Sequence, residues 1–205
     1  MNTILQFATR PGWCLRMLTA KRWHFGNIRG HATNVSDLSS LATWIAEQFD
    51  PQLDWDDVRW VRDRWPGKLV IKGIMDPEDA KRAVDEVGAE AIVVSNHGGR
   101  QLDGAPSSVS ALSNIVKAVG ADTEVHIDGG IRSGQDIIRA RCLGATAAHM
   151  GRPYLYGLGA AGYDGVMHAL NIVRKEADVT MALCGEQDVK AMSRHNLAYV
   201  PARFG

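Results

Sequence analysis

The sequence predicts an α/β fold with a parallel sheet, and three observations point to it. Four short apolar runs, in "KLVIKG", "AIVVSN", "EVHIDGG" and "TAAHMGR", are each followed by a glycine or polar loop and then by a helix-spaced stretch. Each run is continuous rather than alternating, the pattern of a strand covered on both faces. Strands alternating with helices from Lys68 onward imply right-handed crossovers between parallel neighbours.

The elements follow in order. Residues 1 to about 66 form a helical and loop segment rich in tryptophan. In "SDLSSLATWIAEQF" the residues Leu38, Leu41, Ile45 and Phe49 are helix-spaced behind a Ser/Asp start, and Val58, Val61 and Trp65 continue the pattern in "DWDDVRWVRDRW". "WHFGNIRGHATN", Trp23 to Asn34, has no period and is expected to be a loop. From residue 67 to 205 the strands pair with the helical stretches "DPEDAKRAVDEV", "SSVSALSNIVKAV" and "SGQDIIRARCL". The last is followed, after the fourth strand, by the apolar "PYLYGLGAAG" and a long helix near Tyr163 to Leu183. The residues after Ser193 are expected to be a terminal extension.

Composition narrows the function. At 205 residues the chain is long enough for one sizeable core. Its 23 basic and 23 acidic residues cancel, which leaves no electrostatic footprint for nucleic acid or an anionic membrane surface. A small or weakly charged ligand is expected. Cys14, Cys142 and Cys184 are far apart with no paired spacing, so three reduced and mostly buried thiols are expected rather than a disulfide framework or a zinc site. No run approaches the roughly 20 apolar residues of a membrane span. "MNTILQFATRPGWCLRML" lacks a clean apolar core with a cleavage site, and is expected to be mature sequence of a cytoplasmic protein.

In a parallel α/β protein, reactive groups gather where the strands finish, because every loop there opens on the same side. The first strand ends at Lys72, the second at Ser95 and Asn96 followed by His97 and Arg100, the third at Asp128, Gly129 and Gly130 followed by Arg132, the fourth at Gly151 and Arg152. Glycines at a strand-to-helix turn let backbone N–H groups approach an anion, and the helix start adds its positive end. Two such loops, each with an arginine, point to a phosphate cradle. Imidazole accepts a proton near neutral pH, and a neighbouring guanidinium matches a carboxylate with two parallel hydrogen bonds. His97 and Arg100 therefore suggest a base and a clamp for a small organic acid, with Lys72 a fixed cation beside them. His126 and His149 lie inside apolar runs and are expected to be buried, hydrogen-bonded core residues. No carboxylate sits at metal-site spacing from any histidine, so no metal is expected.

The segments "KLVIKGIMDPEDA", "IVVSNHGGRQLDG", "DGGIRSGQDIIRARCLGA" and "GRPYLYGLGAAG" resemble the C-terminal half of the FMN-dependent α-hydroxy acid dehydrogenase/oxidase family, nearest to its L-lactate-oxidising branch. The tryptophan-rich front resembles that branch too. The resemblance implies a TIM (β/α)8 barrel of which this chain holds about the last four βα units, a half barrel preceded by helices. It implies FMN at the C-terminal rim and oxidation of an L-2-hydroxy acid, L-lactate to pyruvate, with electrons passing on to a quinone, a cytochrome or oxygen. By position, His97 matches the catalytic base and Arg100 the substrate-carboxylate arginine. Lys72 matches the lysine at the flavin N1–C2=O edge, and Ser95, Asp128, Gly129, Gly130, Arg132, Gly151 and Arg152 match the remaining cofactor contacts.

A half barrel leaves open strand edges. The expectation is therefore a truncated product, a catalytically inactive FMN- or phosphate-binding fragment, a self-associating half barrel, or a chain that pairs with a missing N-terminal half. The inner face of the membrane is the alternative location.

Overall fold

The computed structural model describes residues 3–20 and 38–198. The chain divides into two compact units, Met1–Leu53 and Asp54–Gly205.

The first unit holds α1 (Thr3–Ala8), α2 (Pro11–Leu18) and α3 (Leu38–Glu47). Pro11 opens α2, where its missing N–H costs nothing. The Phe7 and Trp13 rings stack with centroids 5.7 Å apart. In α3 the helical spacing holds, with Leu41 buried, but Ile45 and Phe49 are exposed. The segment from Trp23 to Asn34 lies outside the described residues.

The second unit begins with α4 (Trp55–Arg64), started by a capping box in which Asp54 accepts from the N–H groups of Asp56 and Asp57 and Asp57 accepts from that of Asp54. Two ion pairs bind α4 forward in the chain, Arg59 to Glu86 at 2.7 Å and Arg62 to Glu90 at 3.1 Å. Trp55 packs against the main core. These contacts draw α4 into the sheet unit, so the break falls earlier than the one expected near residue 66.

Four strands follow, β1 (Val70–Ile74), β2 (Ala91–Val94), β3 (Glu124–Ile127) and β4 (Ala147–Ala148), in the order β1-β2-β3-β4 and all parallel. Between them run α5 (Pro77–Asp85), α6 (Ser108–Val119) and α7 (Gly134–Cys142), and α8 (Arg152–Leu183) comes last. Registers align Lys72, Val93, His126 and Ala147 in one row. Gly73, at φ +103°, is an extra residue in β1 that bends the edge just before Ile74.

Because side chains alternate across a strand, the two faces of the sheet differ. One face carries Ile74, Ile92, Val94, Val125 and Ile127, which pack with Ala80 and Ala83 of α5, Leu112, Ile115 and Val119 of α6, and Ile131, Ala140 and Leu143 around α7. The other carries Val70, Lys72, Glu124, Ala147 and His149, all exposed, with His126 partly buried and Ala91, Val93 and Ser95 buried at its centre. The expected burial on both faces is thus met only by β2; β1, β3 and β4 are covered on one side. The tertiary environment, and not the apolar run, decides this.

Helix α8 starts well before Tyr163 and takes in the apolar stretch, with a break at Ala161 and Gly162. It meets α7 backbone to backbone: a methyl group on Gly134 would collide with α8 at Val173, Glu176 and Ala177. Of the three cysteines, all free, only Cys142 is buried, contrary to the expected burial of most of them. It sits among Ile138, Met192 and Met181 in a small second cluster, and burial pushes its thiol upward from the ordinary value. No helix among the described residues is long and apolar enough to cross a membrane.

Since stability resides on the packed face, Ile127→Ala is expected to cost about 2–5 kcal/mol. Val70→Ala, on the open face, is expected to cost about 0.5 kcal/mol or less. Urea unfolding of the two variants beside the parent checks the contrast.

Candidate functional site

The strand ends assemble around Ser95. This serine is 2% exposed, and its Oγ receives a hydrogen bond from Lys72 Nζ at 2.9 Å and another from the His97 backbone N–H at 3.1 Å. Lys72 reaches past β2 to Asp128 at the end of β3, with Nζ 3.0 Å from Oδ2. Three strand ends are therefore tied by one ammonium group. The other carboxylate oxygen, Asp128 Oδ1, is buried and has no hydrogen-bond partner among the described residues. A buried acceptor left unpaired costs about 1–3 kcal/mol, so this atom suits a ligand that brings a donor.

The loop after β2 is held in an unusual shape. His97 lies in the left-handed region at φ +59°, alone among the described non-glycine residues, where an imidazole-bearing residue is uncommon. Asn96 fixes the turn: its Oδ1 accepts from the Gly98 N–H at 3.0 Å, and its Nδ2 donates to the Pro106 carbonyl at 3.1 Å. Its backbone N–H donates to Ser108 Oγ at 3.2 Å. A short 3-10 turn, His97–Gly99, follows. The His97 imidazole and Arg100 guanidinium are exposed and make no hydrogen bond among the described residues, so both are free to meet a ligand.

The third and fourth loops close on the second. Gly129, at φ +88°, sits where a methyl group would lie 3.0 Å from Ser108 Oγ and 3.5 Å from Asn96 Oδ1. A methyl group on Gly98 would lie 3.3 Å from an Arg152 guanidinium nitrogen. Arg152 thus stands beside the His97 loop although 55 residues separate them. Gly130 and Gly151 face open space. Arg132 is exposed, and its side chain joins none of these contacts.

The two helix starts differ from the sequence picture. The α7 N-terminus is already satisfied. Ser133 and Asp136 form a capping box, and Glu176 of α8 accepts from the Gly134 N–H at 2.8 Å. This carboxylate takes the place at which the sequence suggested an anion, and it comes from a residue 42 positions away. The α8 N-terminus, by contrast, has no side-chain cap at Gly151, so its N–H groups and Arg152 are the open positive end. Ser108 and Glu176 were missed from sequence. Asn96 was placed at the end of the second strand but given no role.

His126 and His149 are hydrogen-bonded, and to each other, with Nδ1 of His126 3.1 Å from Nε2 of His149. They are not buried in the core: His149 is exposed and His126 partly so. Their strand phase turns them to the open face. Among the described residues no group of three or more His, Cys, Asp or Glu is arranged to hold a metal ion.

Burial acts to raise the Asp136 carboxyl, but the backbone N–H of Arg132 and the hydroxyl and N–H of Ser133 outweigh it and hold the group below its ordinary value. Its contribution to stability is therefore present above the unfolded value, about 3.9, and is lost as pH falls through the lower folded one. Asp136→Asn is expected to lose less stability than the parent between about pH 5 and pH 2. Urea midpoints across that range check it.

A family model described as FMN-dependent dehydrogenase matches residues 1–199. An L-lactate dehydrogenase of Actinobacillus pleuropneumoniae serotype 5b (strain L20) is 46% identical over 194 residues, 94% of this chain and 51% of that protein. One from Caulobacter vibrioides (strain NA1000 / CB15N) is 45% identical over 203 residues, 98% of this chain and 53% of that protein. In structure the chain is similar to the monotopic membrane protein (S)-mandelate dehydrogenase, with a TM-score of 0.84 and 37% identity over 94% of this chain and 50% of that one. The chain spans about half the length of these relatives, and its four parallel strands are part of the barrel fold they share. The strand-end loops, the sheet order and the match along nearly the whole chain agree: the chain belongs to the FMN-dependent dehydrogenase family.

Proposed function

We propose that this chain forms the C-terminal half of an FMN-dependent 2-hydroxy acid dehydrogenase acting on L-lactate. The observation that carries the reading is the convergence of Lys72, Ser95 and Asp128 in direct contact, with Arg152 standing against the loop that bears His97. The names of the relatives, L-lactate and (S)-mandelate dehydrogenases, supply the substrate class.

The residues fit the cofactor. Asp128 Oδ1, buried and unpaired, accepts from a sugar-alcohol hydroxyl of the kind FMN carries. Gly130 and Gly151 face open space, Gly129 fits closely against Ser108 and Asn96, and Arg152 with the uncapped α8 N-terminus offers positive charge to a phosphate. Lys72 and Ser95 present a cation and a hydroxyl at the same rim, and Arg132, exposed and outside these contacts, is assigned to the cofactor only by its place after the third strand. When bound, FMN supplies the acceptor for the two electrons of the oxidation.

The chain's own residues then divide the work. Arg100 pairs with the substrate carboxylate through two parallel hydrogen bonds, which fixes the hydroxyl-bearing carbon. The His97 imidazole takes one proton from the 2-hydroxy acid as it becomes a 2-keto acid. The left-handed turn holds that imidazole out of the sheet, and the Ser95–Asn96 bonds pay its conformational cost. Lys72, already paired with Asp128, is a fixed cation that stabilises negative charge arising at the rim.

Completion of the barrel is part of the proposal. The β4 edge borders a groove of about 400 Å³ lined by Ala145, Thr146, Ala147 and Ala148, by Ile137, Ala140 and Arg141 of α7, and by Val189 and Lys190; we assign it to side chains of an added strand. The partner is a segment equivalent to the other half of the relatives, and the electron acceptor is a quinone, a cytochrome or oxygen. We place the protein in the cytoplasm, at the inner face of the membrane, by analogy with the monotopic neighbour. A second reading, an inactive FMN- or phosphate-binding fragment, is favoured by the absence of any described partner that orients the His97 ring.

Purified chain mixed with FMN and with a segment equivalent to the other half of the relatives is expected to show a bound-flavin absorbance spectrum that bleaches on adding L-lactate. His97→Gln is expected to keep the flavin and slow bleaching by about 10²–10⁴. Bound flavin that stays oxidised with L-lactate, glycolate and mandelate alike supports the second reading, and a chain that binds no flavin ends both.

A further inference from the structure

On the open face of the sheet, Glu124, His126 and His149 form a hydrogen-bonded chain. Glu124 Oε2 lies 3.1 Å from His126 Nε2, and His126 Nδ1 lies 3.1 Å from His149 Nε2. The two rings are tilted by 41°, with centroids 5.2 Å apart. Glu124 and His126 are two residues apart on β3, hence on one face. His149 follows β4 directly.

The chemistry of the donors fixes where the protons are. A carboxylate only accepts, so His126 Nε2 carries a hydrogen. With both rings neutral, His126 Nδ1 is then the acceptor and His149 Nε2–H the donor. One added proton is tolerated: His126 becomes a donor on both sides and His149 Nε2 the acceptor. A second added proton sets two N–H groups against each other and breaks the contact.

What the contact holds is the short end of the sheet. β4 pairs with β3 at only two positions, and the His149 N–H extends the ladder by one bond to the Ile127 carbonyl at 2.8 Å. Met150, Gly151 and Arg152 follow at once; Met150 packs against the main core, and the imidazole pair is the last side-chain hydrogen bond before the open α8 N-terminus. We propose that Glu124, His126 and His149 are positioning residues, a latch that holds the Gly151–Arg152 loop in place for an anion and lets it go when both imidazoles are protonated. This rests on the reading of that loop as anion-binding.

The surroundings permit it. On the same face β1 supplies Lys72, which is engaged with Asp128 of β3. β2 supplies Ala91, Val93 and Ser95, none of them titratable, and no described strand lies beyond β4. Glu124 is the anion in direct contact with the pair. Its side chain is 61% exposed and that of His126 is 16% exposed, so protons reach the chain from solvent. Release is expected only once both imidazoles are protonated.

The test is nitrogen-15 NMR of the chain without ligand, followed by binding of sulfate, which keeps its charge across the range. At about pH 7.5 both rings are expected as Nε2–H tautomers, and the Gly151 and Arg152 amide signals are expected to move with the imidazoles as pH falls to about 5.5. In His126→Leu that movement is expected to vanish, and exchange of the His149 amide to quicken about tenfold or more. Glu124→Gln, a change at an exposed side chain, keeps an acceptor for Nε2–H and is expected to carry the movement to lower pH. Acid adds positive charge and ordinarily strengthens anion binding. A fall in sulfate affinity of about tenfold from pH 7.5 to 5.5 in the parent, and of less than twofold in His126→Leu, is therefore the signature of the latch. Gly151 and Arg152 signals that follow pH identically in parent and His126→Leu would overturn it, as would an Nδ1–H tautomer at His126. An intact NMR response with no sulfate or FMN bound at any pH keeps the latch and removes the anion-loop reading instead.

Discussion

One ammonium group organises the candidate site. Lys72 stands at the end of β1, yet its contacts are Ser95 at the end of β2 and Asp128 at the end of β3. In a parallel sheet neighbouring strands finish on the same side, and the register row Lys72–Val93–His126 sets the spacing. Without that row the lysine does not reach across β2. With it, Ser95 Oγ is drawn into place, the His97 N–H is satisfied, and the imidazole projects from a turn that an isolated peptide would seldom hold. The pair leaves one Asp128 oxygen unfulfilled, which is how a site built for a further group differs from a closed structural ion pair.

The division of the sheet into a packed and an open face explains the rest. Apolar residues from α5, α6 and α7 seal one side. The opposite side keeps charged and polar groups, and β1 and β4 have no strand beyond them among the described residues. The curated relatives are about twice as long as this chain. Among the described residues the sheet combines a packed face with an exposed one.

Much of this was legible in the sequence. The four apolar runs located the strands, and the glycines and arginines after them located the loops, because those residue types are selected by local backbone demands at turns. What stayed hidden depends on contacts remote in the chain. Continuous apolar runs suggested strands covered on both sides, but β3 alternates once His126 is seen to face outward with Glu124. The start of α7 was taken for an anion site, and the carboxylate of Glu176, far along α8, fills it. His126 and His149 were each expected as buried, hydrogen-bonded core residues; they are hydrogen-bonded but not buried, because burial depends on which side the rest of the molecule covers. The unit boundary moved for a similar reason, as Arg59 and Arg62 bind acidic residues beyond β1.

Gly134 shows how such remoteness limits drift in the sequence. Its backbone touches that of α8, and no side chain fits between the two helices. Any larger residue there pushes α8 outward, and Arg152 begins that same helix. A glycine kept at this place through a lineage would thus record a distance between two rods and not a part in the reaction, and reading invariance there as chemistry would mistake a spacer for a tool.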